Sequence, residues 1–162
     1  MKKGIILVAM LAAMSAVAYA QPRAIGANLG YDAGFSYQHG FGESNMLDVN
    51  AYIPLVDWGV GGSVTYDWID PFGATVPWNH KGEWHWYMGV GAGGGIYGFN
   101  KPSWFVGAVG HFGIEYDFWF PLQLSLDWRP NVGVWRNSAD DAYGFNLKGL
   151  YHGISLGVRY KF

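Results

Sequence analysis

The side chains that could bind a metal or serve as catalytic bases are few in this chain and lie far apart. There is no cysteine, and the five histidines are His39, His80, His85, His111 and His152. Metal sites in proteins usually draw closely spaced ligands from one motif, and these positions have no such spacing. We therefore predict no metal site and no bound cofactor.

A hydrolytic pair would need a nucleophile within hydrogen-bond reach of a base. His152 and Ser155 are the nearest approach to one, but they are three residues apart in a segment that alternates like a strand. Residues at that spacing lie on opposite faces of a strand, so only a bulge between them could bring them together. We predict no catalytic residue. His85 and Asp117 are predicted to meet across neighbouring strands as a structural pair.

Charged residues recur on one parity of several segments, which places them together on one face. The predicted inward charges are Asp48, Asp67, Glu115, Asp117, Asp127, Arg129, Arg159 and Lys161. Because acids and bases are mixed and unpaired buried charge is costly, we predict a buried ion-pair network. A path for protons or ions is the alternative, and it would produce single-channel conductance in a planar bilayer.

Alternation with a period of two is the pattern that positions these residues. From Trp104 to Phe118 the even positions are uncharged and mostly bulky, whereas the odd positions include His111, Glu115 and Asp117. The last ten residues repeat this arrangement, with Arg159 and Lys161 on the polar face. Such two-faced periodicity predicts strands with one apolar and one polar side.

The same pattern predicts eight strands near residues 24–31, 34–42, 46–54, 59–70, 83–98, 104–118, 122–135 and 143–162. The fold class is therefore all-β, an eight-stranded antiparallel transmembrane β-barrel with up-and-down (meander), porin-like topology. The split at Asp32 keeps the strand number even, as in bacterial single-chain barrels. Along the last predicted strand the apolar residues change from odd to even positions. A bulge near Lys148 to Tyr151 is predicted to accommodate this change.

The first twenty residues have the three parts of a secretory signal peptide. Lys2 and Lys3 precede a short apolar run, and Ala18-Tyr19-Ala20 offers small residues for cleavage. An uncleaved anchor is the alternative, although the run is short for a membrane helix. We predict a signal peptide at 1–20 and one barrel domain at 21–162.

The sequence carries a net charge of −2, and cleavage removes two lysines, which makes the remaining chain more acidic and disfavours nucleic acid as a partner.

Aromatic residues and glycine are abundant, with 9 Trp, 11 Tyr, 10 Phe and 25 Gly. Membrane barrels carry aromatic girdles at both membrane interfaces. Export combined with apolar outward faces predicts the outer membrane of a Gram-negative cell, with both chain ends periplasmic and lipid as a partner.

An eight-stranded barrel has room inside for its own side chains alone, and the inward run Gly89 to Gly95 leaves space for large groups to cross the axis.

Four strings carry a family resemblance: Tyr37-Gln-His39, Gly113–Asp117, Phe120–Pro130 and Gly157–Phe162. They resemble a family of small outer-membrane β-barrel proteins of Gram-negative bacteria, similar to the OmpA/OmpX-type eight-stranded barrels. The resemblance implies the fold, the membrane, and recognition of the last strand by the barrel-assembly machinery. It implies no activity.

These observations favour a structural or protein-interaction barrel that is not an enzyme. It would act alone or dock beside a larger outer-membrane transporter or assembly complex. Two alternatives stay open at this point, a lipid-modifying enzyme similar to lipid A deacylases and a narrow channel.

Overall fold

The computed structural model describes residues 21–55, 58–70, 81–98, 102–137, 142–146 and 153–162. Ten strands are formed there: β1 (Gln21–Gly30), β2 (Asp32–Gly40), β3 (Asn45–Pro54), β4 (Gly59–Ile69), β5 (Glu83–Tyr97), β6 (Ser103–Asp117), β7 (Gln123–Trp128), β8 (Asn131–Asn137), β9 (Ala142–Asn146) and β10 (Ile154–Lys161). Within these ranges, no helix is long and apolar enough to cross a membrane. The signal peptide, His80, the bulge near 148–151 and His152 lie outside the described residues.

Eight of the ten strands close into an antiparallel barrel. The order around the ring is β1, β2, β3, β4, β5, β6, β7 and β10. Pairing of Ala24 with Lys161 joins β1 to β10, and pairing of Glu83 with Asp117 is one contact of the long β5–β6 ladder. The predicted eight-stranded meander is confirmed, including the turn between β1 and β2 near Asp32.

The remaining strands, β8 and β9, form a hairpin on the part of β6 that β7 leaves unpaired. β6 pairs with β7 from Phe112 to Asp117 and with β8 from Ser103 to Val109. The prediction of one continuous strand over 122–135 is therefore wrong in that the segment breaks at 129–130. Pro130 has no N–H to donate to a ladder, although its carbonyl oxygen accepts a 2.8 Å bond from the amide of Gly110.

The predicted last strand, 143–162, is likewise observed as two strands, β9 and β10, with 147–152 outside the described residues. Along β10 the burial alternates as predicted. Ile154, Leu156 and Val158 are exposed, whereas Ser155 and Arg159 are buried.

Aromatic side chains contact one another along one end of the barrel. The end where β1 begins and β10 finishes carries a chain of aromatic contacts, which we call the girdle end. Ring pairs there include Tyr160–Phe162, Tyr116–Phe118 and Tyr66–Trp68, with centroids 5.4, 4.7 and 5.4 Å apart. The opposite end holds a cavity and is called the cup end.

The barrel reverses the usual arrangement of a folded protein in water. Its fully buried large side chains are predominantly polar or charged, as for Arg159, His111, Gln38 and Glu115. Its outer wall exposes apolar side chains, among them Leu29, Val64, Val90, Val106, Leu126 and Leu156. The lumen and the outer surface thus have the polarities that the sequence pattern predicts.

Inward tyrosines lie over glycines of the neighbouring strand. Tyr87 is paired with Gly113, and a Cβ on that glycine would lie 2.3 Å from the tyrosine ring. Tyr52 is paired with Gly61 and Tyr97 with Gly59, with corresponding distances of 2.5 and 2.9 Å. A narrow barrel needs such pairs because a large inward side chain fits where its neighbour contributes none.

We expect Gly113→Ala to destabilise the barrel by about 1–3 kcal/mol, because the new methyl group would overlap the fully buried ring of Tyr87. The measurement is the temperature at which the folded form, which migrates differently on a gel from the boiled form, disappears. Gly144→Ala is the matched control, since its nearest neighbour would be 3.2 Å away on the β8–β9 hairpin. Equal melting of both variants would contradict this account.

Candidate functional site

Arg159 of β10 is the centre of a polar network inside the barrel. Its guanidinium donates to Ser36 at 2.9 Å, to Ser125 at 2.6 Å and to Asp127 at 3.2 Å. Further bonds reach Asn28 at 3.1 Å and Gln123 at 3.3 Å. Because these acceptors come from β1, β2 and β7, one side chain links the strands on both sides of β10.

Asp127 extends the network toward β4, β5 and β6. It accepts bonds from Ser125 at 2.7 Å and from the hydroxyl of Tyr87. Its Oδ1 also lies 3.2 Å from Nε2 of His111, whose Nδ1 lies 2.9 Å from Asp67. A His111 ring protonated at both nitrogens donates to both carboxylates together. These groups are buried, so this layer fills the middle of the lumen with polar side chains.

Arg129 lies toward the cup end of this network and is held less tightly than Arg159. Its Nη2 is 3.4 Å from Asp48 and 3.9 Å from Asp127, and its Nη1 donates to Ser155 at 3.3 Å. Its Nε–H has no hydrogen-bond partner among the residues that the structure describes. Arg129 therefore retains unused donor capacity.

A second cluster of charges closes the lumen at the girdle end. Lys161 is 2.9 Å from Asp117, and Arg23 makes a two-pronged contact with Glu115, one prong of which is 3.2 Å long. The predicted buried ion-pair network is confirmed, with Arg159 paired to Asp127 of β7 and Lys161 to Asp117 of β6. Arg23 was not among the predicted inward charges, because it lies on the outward parity of β1. The register of β1 against β2 shifts between Pro22 and Ala24, and this irregularity turns Arg23 inward.

The structure pairs His85 with acids other than the one that the sequence predicted. Its Nδ1 lies 2.6 Å from Asp70, and Nε2 lies 3.5 Å from Glu83, so the predicted pairing with Asp117 is wrong. Register explains the difference, because His85 is opposite Glu115 and Asp117 is opposite Glu83. Asp70, in a left-handed conformation with φ 46°, also accepts a bond from the amide of Trp86.

Ser155 and His39 lie on opposite faces of the barrel wall. Ser155 is buried in the lumen against Arg129, on the side away from the outer surface. His39 lies on the outer wall at the girdle end, where Nδ1 is 2.8 Å from the hydroxyl of Tyr37 and the ring contacts Phe41. Among the residues that the structure describes, His39 is bonded to Tyr37 and Ser155 to Arg129, so the two do not form a serine–histidine pair with each other.

Above Arg129, the cup end opens into a cavity of about 350 Å³, which we call the cup. Its floor and lower wall contain polar side chains: Asn28, Asn50, Ser63, Arg129, Asn131 and Ser155. Its upper wall contains aromatic side chains: Tyr31, Tyr52, Tyr97 and Phe105. The sequence pattern indicated inward glycines and inward polar residues in this region, but not that they would leave a concave pocket.

For the described residues, no cluster of three or more histidine, aspartate or glutamate side chains has metal-binding geometry. Comparison of the chain with protein-family models, with curated proteins and with solved structures found no match.

We expect Arg159→Met to lower the free energy of unfolding by about 3–5 kcal/mol, because Asp127 would remain buried without its main cation. Denaturant titration of the protein in micelles measures this loss. Arg136→Met removes an equal charge from an exposed position on β8 and should change stability little. Adding Asp127→Asn to Arg159→Met should cost less than the two single losses combined, and strict additivity would count against the network.

Proposed function

We propose that this protein is an integral outer-membrane β-barrel protein with a structural or protein-interaction role. The reversed polarity of the barrel carries the proposal. A closed ring of strands satisfies its backbone hydrogen bonds internally, as a protein in lipid must, and its outer wall is apolar while its lumen is charged. A protein dissolved in water would not be stabilised by an apolar exterior and a charged interior.

The aromatic chain at the girdle end supports a membrane–water interface at that rim. Trp, Tyr and Phe side chains collect at membrane–water interfaces, and here they ring one rim of the barrel. We place the girdle end at the periplasmic side, as expected when both chain ends are periplasmic, and the cup end at the outer side. In this proposal the barrel-assembly machinery recognises β10, and the chain is a relative of the OmpA/OmpX-type barrels.

The filled lumen favours a structural barrel over a channel. Arg159, Asp127, His111 and Asp67 are buried and bonded to one another across the axis. At the girdle end, Arg23 and Lys161 are paired with acids in the same way. An ion that crossed this lumen would have to displace these pairs.

The lipid-modifying alternative draws no support from the described serine. A serine that attacks an ester in the bilayer would face the lipid, whereas Ser155 faces the lumen and accepts a bond from Arg129. His152, its proposed partner, lies outside the described residues.

The interaction role concerns the outer wall and the β8–β9 hairpin. Tyr143 and Phe145 are exposed on that hairpin, beyond the closed ring. Their apolar surface suits lipid or a second barrel, such as a larger transporter or assembly complex. Extraction in mild detergent followed by pull-down separates these cases, because a docked subunit is recovered with its partner and a lone barrel is not.

Leu156→Arg tests the membrane proposal directly. Leu156 is 62% exposed, lies four residues from Tyr160 of the girdle, and is flanked by Leu29 and Leu126 on the neighbouring strands. If this wall faces lipid, we expect folding into vesicles to weaken by about 2–4 kcal/mol, the cost of arginine near a bilayer midplane. Tyr160→Arg, at the rim, should cost about 0–1 kcal/mol. A near-neutral Leu156→Arg, the usual result for a residue exposed to water, would contradict the proposal.

A sealed lumen predicts that the protein in a planar bilayer shows no single-channel steps, because the charged pairs block the axis. Regular, reproducible conductance from the unaltered chain would instead support the channel alternative. A preparation whose folded state has been verified by its migration on a gel provides the necessary control.

A further inference from the structure

We propose that the cup binds a small uncharged polyhydroxyl ligand, of which a single sugar unit is the chemical class that fits its lining. This inference goes beyond the proposed function and does not depend on it, because the cup is formed by the barrel whether or not lipid surrounds the wall. The cavity of about 350 Å³ falls in the range of small-molecule sites.

The upper wall provides two flat aromatic surfaces. The ring of Tyr52 lies over Gly61, and the ring of Tyr97 lies over Gly59 and beside Gly95. Each ring therefore has one face covered by the backbone of the barrel wall, and both tyrosines line the cavity. A fixed aromatic face is a suitable partner for the C–H face of a sugar ring, which is apolar although its rim is polar.

The floor provides donors that the protein itself does not use. Arg129 has a side chain 10% exposed, and its Nε–H has no partner within the described structure. The hydrogen bonds from its Nη atoms to Ser155 and Asp48 are long, at 3.3 and 3.4 Å. Asn28 likewise has an unpartnered buried Nδ2, while its oxygen accepts from Arg159. Unmet donors of this kind favour a ligand rich in oxygen acceptors.

The charges around the floor argue against an anion. Arg129 already lies between Asp48 at 3.4 Å and Asp127 at 3.9 Å, so its charge is balanced. Asp32 adds a carboxylate to the rim of the cup. A phosphate or carboxylate ligand would meet these three acids, whereas a neutral ligand would not.

The remaining polar lining matches hydroxyl groups. Asn50, Asn131 and Ser63 line the cup beside the tyrosines. Amide and hydroxyl side chains both donate and accept hydrogen bonds, as sugar hydroxyls do. A few polar groups set among aromatic walls are the usual composition of a site that orients a small ligand.

The test uses the full chain in lauryldimethylamine oxide micelles, a detergent without a sugar headgroup. D-glucose, D-galactose, N-acetyl-D-glucosamine and inorganic phosphate are added separately, and saturation-transfer difference NMR and titration calorimetry measure binding. We expect transfer to the ring protons of at least one sugar and no heat of binding with phosphate.

Tyr97→Leu, which removes an aromatic face, and Arg129→Lys, which keeps the charge but loses the Nε–H, should each weaken sugar binding about tenfold. Tyr143→Leu, on the exposed hairpin outside the cup, should leave it unchanged. Each variant is first checked for the folded form by gel migration. Binding of phosphate in place of every sugar, binding of none of the four probes, or equal binding by all variants would overturn the proposal.

Discussion

Burial of the Arg159 guanidinium is the constraint on which the rest of this barrel depends. A cation in a narrow lumen is tolerable only when several acceptors surround it, and here the acceptors come from the strands on both sides of β10. Ser36, Asn28 and Asp127 reach Arg159 only once β10 has paired with both β1 and β7. Pairing with β7 brings Asp127 to Arg159, and closure of the ring against β1 adds the acceptors Asn28 and Ser36.

Glycine makes this polar interior geometrically feasible. Eight strands enclose little space, so each large inward group needs a neighbour without a side chain. Tyr87 lies over Gly113, and Asp67 lies so close to Gly89 that a Cβ would meet its carboxylate at 1.8 Å. Toward the cup end the glycines continue but fewer large groups cross the axis. In the middle of the lumen, large side chains fill the space beside the inward glycines. At the cup end this space is less filled, and a cavity results.

The number of strands in the closed ring, their order and most inward residues were predictable from sequence because alternation of side chains is a local property of extended backbone. The inward positions of Lys161 and Asp117, which form an ion pair, followed from the same parity. The predictions that were wrong concern places where the strands depart from ideal pairing. The irregularity beside Arg23 reversed its direction, Pro130 interrupted a strand, and a two-residue register difference gave His85 a different acid. The cup was missed because a cavity depends on how far side chains reach, which parity does not describe.

Arg159 and Arg129 differ through their positions in the lumen, and this difference separates a role in stability from the proposed role in recognition. Arg159 lies where polar groups converge, and it donates at 2.6–3.2 Å to four partners and at 3.3 Å to a fifth. Arg129 lies next to Pro130, at the break between β7 and β8, where the wall turns from β10 toward the hairpin. Fewer acceptors surround it there, so its contacts are longer and one donor is unused. A break in one strand thereby leaves, at the floor of the cavity, a buried cation with hydrogen-bonding capacity for a ligand.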